Sequence, residues 1–415
     1  MINTFYDAYS VLSKVYSDGA YLSQAIADTP IEPDGKAKTI KISYGVLDKD
    51  IYLEYALSRL CERSPKLKIK ILLKIAMYSV KFLGNKEYAV SDSIVELTKK
   101  LGKGGNAGFV NAVLRRFYTT EIPLPEDKFD RASVEYSMPL FAVKKLFDEY
   151  GEDTARAILS YDEEHSFARF SSREEGERYL TDKGYEFSPT VFPDLFSVKK
   201  LSLNEDFDRG TFTFQSIGSA AICDVCGSGK SLLDACAAPG GKACYLSQKF
   251  KRVVATEIHS HRADLIRAYA RRMKVDNVEV ITADSTVFRK EFESAFDLVL
   301  CDVPCSGYGT VKDNPDIKLR KNNANVCDIV KTQSAILENC SRYVRSGCAI
   351  VYSTCSFFDE ENDKIIEKFL NNHHDYEIAE ITSPLPFCKK RYGLQFLPHI
   401  SCGAGYYVSK LIKKG

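Results

Sequence analysis

The segment SLLDACAAPGGKACYLSQKFKRVVATE, residues 231–257, decides the fold that we predict for this chain. It contains a short β-prone run, a turn of small residues, a helical stretch and a second β-prone run. The alternation continues downstream: the helical stretch HSHRADLIRAYARRM precedes the β-prone run VEVITAD, and the helical stretch CDIVKTQSAILENCSRYV separates the runs FDLVLCD and CAIVYST. Strands that alternate with helices are typical of a mostly parallel, doubly wound sheet. We therefore predict an α/β Rossmann-like domain over residues 216–415.

The sequence before this domain predicts two further modules. Residues 1–120 carry apolar residues at three- and four-residue spacings, which indicates an all-α bundle. Within it, KTIKISYGVLDKDIYLEYALSRLC is predicted as one helix. The proline-rich TTEIPLPED leads into a helical linker over residues 121–160, which contains the helical stretch SMPLFAVKKLFDEYGEDTARAILSY. Short β-prone runs around one helix-like segment then predict a small α+β module over residues 161–215.

Composition argues against several classes of protein. No apolar run reaches the roughly 18–20 residues that span a bilayer, and the start lacks the pattern of a signal peptide, so we expect no membrane partner and a cytoplasmic protein. The thirteen cysteines are odd in number and scattered, so reduced thiols are expected rather than a disulfide framework. The Cys223/Cys226 pair has no second pair beside it, and the six histidines show no ligand spacing, so no metal site is expected.

Charge is distributed unevenly along the chain. Residues 1–120 contain 18 basic and 12 acidic residues, whereas the whole chain carries a net charge of only +1. Basic clusters such as TKKLGKGGNAGFVNAVLRRF could contact a phosphate backbone, although an excess of this size is equally typical of a solvated helical surface.

Acidic residues follow the predicted strands at the positions where ligands bind in open parallel sheets, beyond the carboxyl ends of the strands. Glu257, Asp284 and Asp302 come after the second, third and fourth β-prone runs, and their carboxylates suit a nucleoside. The first run is followed by a turn that lacks both G-x-G-x-x-G and the ending of a phosphate loop, which argues against a nicotinamide dehydrogenase. The candidate ligand-binding turn comprises Cys236, Ala237, Ala238, Pro239, Gly240, Gly241 and Lys242.

Two cysteines stand at the ends of neighbouring predicted strands. Cys305 follows FDLVLCD, and Cys355 ends the run CAIVYSTC. A lone cysteine at a strand end is usually a small buried hydrophobe, and we keep that interpretation for Cys301, Cys340 and Cys348. Two cysteines at two adjacent strand ends indicate instead one shared site.

The motifs DACAAPGGK, DVPCSGYG with NPDIKLR, and STCS with EEN resemble the successive motifs of the RNA cytosine-5 methyltransferases of the NOL1/NOP2/Sun group. The N-terminal bundle, which ends in GFVNAVLRRF, resembles a NusB-like RNA-binding domain. The resemblance implies methylation of C5 of a cytidine in 16S rRNA, with S-adenosylmethionine as methyl donor. The same reaction on tRNA or another rRNA remains open, and a non-catalytic RNA-binding or antitermination factor is less favoured because such a protein needs no pair of thiols.

The resemblance also implies roles for the residues of the reaction. Cys355 would be the nucleophile that adds to C6 of the base, and Cys305 would assist removal of the C5 proton and release of the product. Asp302 would hydrogen-bond the edge of the base near N3 and N4. Lys242 would lie close enough for its positive charge to lower a thiol pKa.

For the cofactor, the resemblance implies that S-adenosylmethionine occupies the turn from Cys236 to Lys242. Glu257 would bind its ribose, Asp284 would lie near its adenine, and Asp302 would also favour its cationic sulfonium. Local capping of the following helices is the alternative for Glu257 and Asp284.

The sequence departs from the family pattern at two places. Ser216 in FQSIGSAA stands where an aspartate is usual, and the DIKLR loop lacks the tryptophan that is often found there. Lys318 and Arg320 of this loop could be surface charges, although the resemblance implies a position beside the RNA.

Overall fold

A computed structural model describes residues 1–162, 165–320 and 323–415 of the chain. These residues form two compact units. The first consists of Met1–Leu159 together with Val311–Arg320, and the second of Ser160–Thr310 together with Lys321–Gly415. In the described ranges, no helix is long and apolar enough to cross a membrane.

All regular secondary structure in residues 1–160 is helical. The helices are α1 (Ile2–Asp18), α2 (Leu22–Ala27), α3 (Lys36–Asp48), α4 (Asp50–Leu60), α5 (Leu67–Lys81), α6 (Glu87–Thr98), α7 (Ala107–Thr119), α8 (Lys128–Glu135), α9 (Leu140–Tyr150) and α10 (Glu152–Ser160). The apolar faces of α1–α7 form one core, in which α5 is buried along nearly its whole length. The predicted helical linker over residues 121–160 lies in this same unit apart from its last residue.

The later residues combine strands and helices. In chain order the elements are β1 (Phe167–Arg169), α11 (Arg173–Asp182), β2 (Phe187–Pro189), β3 (Leu195–Val198), α12 (Glu205–Asp208), β4 (Thr213–Phe214), α13 (Ile217–Cys226), β5 (Gly229–Asp234), α14 (Gly241–Leu246), β6 (Phe250–Glu257), α15 (Ser260–Arg272), β7 (Val278–Thr282), β8 (Phe296–Asp302), α16 (Ile317–Arg320), α17 (Asn323–Ser341), β9 (Val344–Thr354), α18 (Asp363–Asn372), β10 (Tyr376–Ile378), β11 (Cys388–Lys389), β12 (Leu394–Gln395) and β13 (Tyr407–Lys413).

The prediction of one continuous helix through KTIKISYGVLDKDIYLEYALSRLC is wrong, because the chain breaks at Lys49 between α3 and α4. The first turn of a helix leaves backbone N–H groups without partners inside the helix. Here the hydroxyl oxygen of Ser137 accepts hydrogen bonds from the N–H groups of Ile51 (3.0 Å) and Tyr52 (3.3 Å). A residue distant in sequence therefore caps α4 and stabilises the break. Between α9 and α10 the break falls at Gly151, whose φ is 75°.

The predicted five-stranded parallel core is confirmed. The strands β7, β6, β5, β8 and β9 run parallel in that order, and β13 pairs antiparallel with β9 and extends the sheet toward β12 and β11. The strand order reverses at β5, since β6 lies on one side of it and β8 on the other. The carboxyl ends of these parallel strands meet at one edge, where open α/β sheets bind their ligands. A separate four-stranded antiparallel sheet, in the order β2-β3-β1-β4, packs an aromatic core that includes Phe170, Phe196 and Phe212.

The segment Val311–Arg320 belongs to the first unit, although the sequence around it forms the second. Lys318 donates hydrogen bonds to the backbone carbonyl of Asp48 at 2.7 Å and to its carboxylate at 2.9 Å, and its side chain is only 2% exposed. Arg320 pairs with Asp316 at 3.2 Å. Lys318 is therefore not a surface charge, which corrects one of the two interpretations of the DIKLR loop.

Replacing Lys318 by alanine is expected to lower the free energy of unfolding by about 2–3 kcal/mol. Isolating a buried charge costs roughly 3–5 kcal/mol, but Lys49 lies 2.8 Å from the other carboxylate oxygen of Asp48 and would compensate part of the loss. Urea unfolding followed by circular dichroism measures the change. The control is Lys331→Ala, because Lys331 forms an exposed ion pair with Asp328 at 2.9 Å that should contribute under about 0.5 kcal/mol. Equal stabilities of the two variants would contradict the prediction.

Candidate active site

The two cysteines singled out from the sequence lie side by side. Cys305 follows β8 and Cys355 follows β9, and these neighbouring parallel strands are aligned so that Asp302 pairs with Ser353. The two Sγ atoms are 3.0 Å apart, and both cysteines are free thiols. The backbone N–H of Cys355 also donates to Sγ of Cys305 at 3.3 Å. The register of the sheet therefore brings together two residues that are far apart in the chain.

The two thiols differ in their readiness to ionise. The hydrogen bond from Cys305 is the largest influence on Cys355 and lowers its pKa. Burial and the charge of Asp302 oppose this effect, while Thr310 and Lys242 support it. The same hydrogen bond, together with burial, raises the pKa of Cys305. These opposite shifts favour Cys355 as the thiolate of the pair and Cys305 as its thiol partner. A thiolate is the nucleophilic form of cysteine.

Asp302 and Lys242 form an ion pair at the same edge of the sheet. Nζ of Lys242 lies 2.7 Å from Oδ2 of Asp302, and the hydroxyl of Ser353 donates to Oδ1 at 2.7 Å. Burial disfavours the ammonium of Lys242, but the charge of Asp302, the charge of Tyr406 and the hydrogen bond to Asp302 act together against it and raise the pKa of Lys242. Lys242 is therefore a fixed cation, and its influence on the Cys355 thiol is smaller than that of Cys305.

The turn between β5 and α14 has the tight geometry that its small residues allow. The N–H of Ala237 donates to the carbonyl of Thr256 at 2.9 Å, and the Ala238–Pro239 peptide bond is cis. Gly240 has a φ of 109°, and a Cβ atom there would lie 3.2 Å from Cα of Ile266. Only glycine meets both conditions at this position.

Acidic residues surround this turn. Asp234 ends β5 with 1% of its surface exposed, and neither carboxylate oxygen has a hydrogen-bond partner among the described residues. Burial, followed by the charge of Asp302, raises the pKa of Asp234 to about 7. An unpaired buried carboxylate beside an open turn suits a cationic or hydrogen-donating ligand, because burying such a group without a partner is costly.

Glu257 and Asp284, the residues predicted to contact the ribose and the adenine, have local partners. Oε1 of Glu257, a residue with 4% exposure, accepts from the N–H of His259 at 3.1 Å, and Arg262 lies 3.5 Å from Oε2. Oδ1 of Asp284 accepts from the N–H of Thr286 at 2.8 Å. Capping contacts are therefore present at both positions.

The part of the chain that contains this site matches one family model, and the N-terminal helices match another. Residues 226–412 match the model described as 16S rRNA methyltransferase RsmB/F, and residues 7–119 match that of the NusB family. In residues 226–412 the chain is similar to the RsmB/F methyltransferases. A NusB domain precedes its methyltransferase domain.

Similar proteins extend the RsmB/F likeness over nearly the whole chain. The "probable ribosomal RNA small subunit methyltransferase B" of Bacillus subtilis (strain 168) is 28% identical, with 98% of each chain covered. The ribosomal RNA small subunit methyltransferase B of Escherichia coli O1:K1 / APEC is 25% identical with the same coverage. The crystal structure of PH0851 has the same fold with a TM-score of 0.85 at 20% identity, covering 100% of this chain and 99% of that one.

Several residues of the RsmB/F-type site were not predicted from sequence. The EEN motif was recognised without a role, yet Glu361 and Asn362 are both completely buried. Oδ1 of Asn362 accepts from the hydroxyl of Thr354 at 2.6 Å, and its amide donates to the carbonyl of Ser356 at 3.0 Å. Asn362 thus fixes the backbone on both sides of Cys355. The signal available in the sequence was the position of EEN shortly after the cysteine motif STCS.

Ser216, which replaces the usual aspartate, makes two contacts of its own. Its hydroxyl caps α13 by accepting from the N–H of Ser219 at 3.3 Å and lies 2.9 Å from the hydroxyl of Tyr406. Nζ of Lys242 lies 5.8 Å from the centre of the Tyr406 ring. The substituted residue therefore supports the surroundings of Lys242 through Tyr406. No group of three or more His, Cys, Asp or Glu side chains that could hold a metal ion occurs in the described part of the chain.

Proposed function

We propose that this enzyme methylates C5 of a cytidine in 16S rRNA, with S-adenosylmethionine as methyl donor, through a covalent bond between Cys355 and C6 of the base. The observation that carries the proposal is the pair of thiols 3.0 Å apart at the ends of β8 and β9. C5 of cytosine is a poor nucleophile, so the base must first be activated. Addition of a thiolate to C6 breaks the C5–C6 π bond and moves its electrons toward C4 and N3, which gives an enamine whose C5 is nucleophilic.

Cys355 has the properties that this first step requires. Its pKa is lowered, chiefly by the hydrogen bond from Cys305, so the thiolate fraction at neutral pH is larger than that of an ordinary cysteine. The backbone around it is fixed by Asn362 through Thr354 and Ser356. A positioned thiolate attacks without first losing conformational freedom.

Asp302 would hold the base during the addition. Its carboxylate can accept a hydrogen bond from the exocyclic amine of cytosine, while Ser353 and Lys242 fix its two oxygens at 2.7 Å. The Lys242 ammonium also offsets the negative charge that the attacking thiolate brings into the ring. Such preorganised charges act without reorganisation during the reaction.

Asp302→Asn is expected to lower kcat for methyl transfer by about 10²–10³-fold, because the amide removes the charge that fixes Lys242 and binds the base. Steady-state methyl transfer to RNA measures the effect. Asp297→Asn is the matched control, since Asp297 lies at the opposite end of β8 and binds the N–H groups of Lys230 and Ser231 at 2.8 and 3.0 Å. A comparable loss of kcat in both variants would contradict the role of Asp302.

Cys305 would take up the C5 proton once the methyl group is in place. Its pKa is raised in the resting pair first because it donates to the Cys355 thiolate. When Cys355 forms the bond to C6, that negative charge disappears, so Cys305 can release its proton to solvent and act as a base. The electron pair of the C5–H bond then re-forms the C5–C6 double bond, and the pair of the C6–S bond returns to Cys355 as a thiolate.

S-adenosylmethionine supplies a methyl group on a cationic sulfonium when it is bound. The turn from Cys236 to Lys242 would hold its amino acid portion, Glu257 its ribose hydroxyls and Asp284 its adenine amine. The partner-free carboxyl group of Asp234 can accept hydrogen bonds from a ligand, and the half-buried carboxylate of Asp302 gives this edge the negative charge that suits a cationic ligand. This acidic edge supports the proposed cofactor on grounds separate from the thiol pair.

The choice of RNA rests on the relatives and on the NusB domain. Relatives named for ribosomal RNA small subunit methyltransferase B cover 98% of this chain, which supports 16S rRNA as substrate. The test is transfer of label from S-adenosylmethionine to deproteinised 16S rRNA and to bulk tRNA, followed by nucleoside analysis. We expect 5-methylcytidine in 16S rRNA only. Label in tRNA alone would support the proposed reaction but contradict 16S rRNA as its substrate.

A further inference from the structure

We propose that Glu361 is a positioning residue that bridges the two cysteine loops and keeps Cys305 as the partner of Cys355. The inference rests on the proposed function and assigns a role to a residue that does not touch the substrate. The two loops carry the same dipeptide, Cys305-Ser306 and Cys355-Ser356, fifty positions apart.

The Glu361 carboxylate reaches both loops. Oε2 accepts from the backbone N–H of Ser306 at 2.8 Å, directly after Cys305. Oε1 accepts from the hydroxyl of Ser356 at 2.5 Å, directly after Cys355. The hydroxyls of Ser306 and Ser356 are themselves 3.1 Å apart. One side chain therefore sets the separation of the loops that carry the two Sγ atoms.

A third element joins the same carboxylate. The side-chain amide of Gln333, on α17, donates to Oε2 of Glu361 and to the carbonyl of Pro304, both at 3.0 Å. The hydroxyl of Tyr352 donates to the backbone carbonyl of Glu361 at 2.7 Å. The loop of Cys305 is thus attached to Glu361 directly and through Gln333.

The residues of this network are buried and do not bind RNA. Glu361, Gln333 and Ser356 have 0% exposure and Ser306 has 1%, so RNA has no access to the carboxylate. A buried carboxylate with three neutral donors exerts a strong field because no water screens it. Glu361 accordingly adds to the hydrogen bond that Cys305 donates to Cys355 and to burial in raising the pKa of Cys305, which keeps the proton on Cys305.

The test is site-resolved alkylation of the full chain with iodoacetamide between about pH 6 and pH 10, read by peptide mass spectrometry. In the wild type, Cys355 should react at least about tenfold faster than Cys305 near neutral pH, because only the thiolate is alkylated. In Glu361→Gln this ratio should fall to below about threefold, and the pH midpoint of Cys355 should rise toward the ordinary thiol value of about 8.5. Glu338→Gln, on the exposed face of α17, is the matched control and should keep the wild-type ratio.

Methyl transfer provides the second measurement. Glu361→Gln should lower kcat while KM for RNA stays within about twofold, because a buried residue does not contact the substrate. Ser356→Ala removes one of the three bonds to Glu361 and should shift the alkylation ratio in the same direction. This variant keeps the proposal testable if Glu361→Gln does not fold.

The proposal is overturned if Cys355 is alkylated faster than Cys305 by the wild-type ratio in both Glu361→Gln and Ser356→Ala. Glu361 would then be a structural residue, even if the variants have lowered thermal stability. The alkylation needs neither RNA nor a methyl donor. The variants can therefore lose the faster alkylation of Cys355 while the wild type fails to methylate RNA. That combination would support the role of Glu361 and contradict only the proposed function.

Discussion

Cys355→Ala is expected to abolish methyl transfer, with a fall in kcat of at least about 10⁴-fold, as for the removal of other catalytic nucleophiles. The variant lacks the group that activates C5, and Cys305 cannot replace it because burial and the charge of Glu361 still raise its pKa when Cys355 is absent. The measurement is single-turnover transfer of labelled methyl groups to RNA. RNA binding should be unchanged, since the defect lies in the chemical step.

The matched control for this prediction is Cys348→Ala. Cys348 lies on the same strand, β9, and is free and partly buried, but stands outside the site. Its loss should leave the rate within about twofold of the wild type, as expected for a small packing residue. Comparable losses in the two variants would mean that truncation on β9, rather than the missing thiolate, explains the effect.

Cys305→Ala is expected to give the opposite signature, a covalent protein–RNA complex that accumulates with time. The alanine variant retains the nucleophile, so the bond to C6 still forms. It lacks the base for the C5 proton, so the C6–S bond is not released. The measurement is a band of reduced mobility on a denaturing gel that disappears after nuclease treatment.

The double variant Cys305→Ala/Cys355→Ala is the control for this complex. It should form none, because the sulfur that bonds to the base is absent. Complex formation by the double variant would show that a residue other than Cys355 attacks the RNA. Loss of the Cys305 hydrogen bond also removes the largest influence that lowers the pKa of Cys355, so adduct formation should be slower and should speed up as the pH rises.

The sheet and its active edge could be predicted because their signals are local. Each of the five parallel strands is a short apolar run, and the residues at their ends, Asp234, Glu257, Asp302 and Cys355, could be read directly from the sequence. Parallel strands bring such ends to one edge without any knowledge of side-chain packing. The outer strands β10, β11 and β12 have only two or three residues, too few for a periodic pattern.

Features that depend on distant contacts were not predictable in this way. The break between α3 and α4 depends on Ser137, and the burial of Lys318 depends on Asp48, which is 270 positions away. The contact between the two thiols is another distant contact whose effect could not be predicted from the sequence. Sequence reasoning attributed the lowered thiol pKa to Lys242, whereas the contact with Cys305 has the larger effect.

The C5 chemistry is tested most directly with 16S rRNA that carries tritium at C5 of its cytidines. The proposed reaction replaces the C5 hydrogen, so we predict one tritium released to water for each methyl group transferred, and none with Cys355→Ala. Methyl transfer without release of tritium would mean that the methyl group is attached elsewhere, and would contradict the cysteine-adduct mechanism.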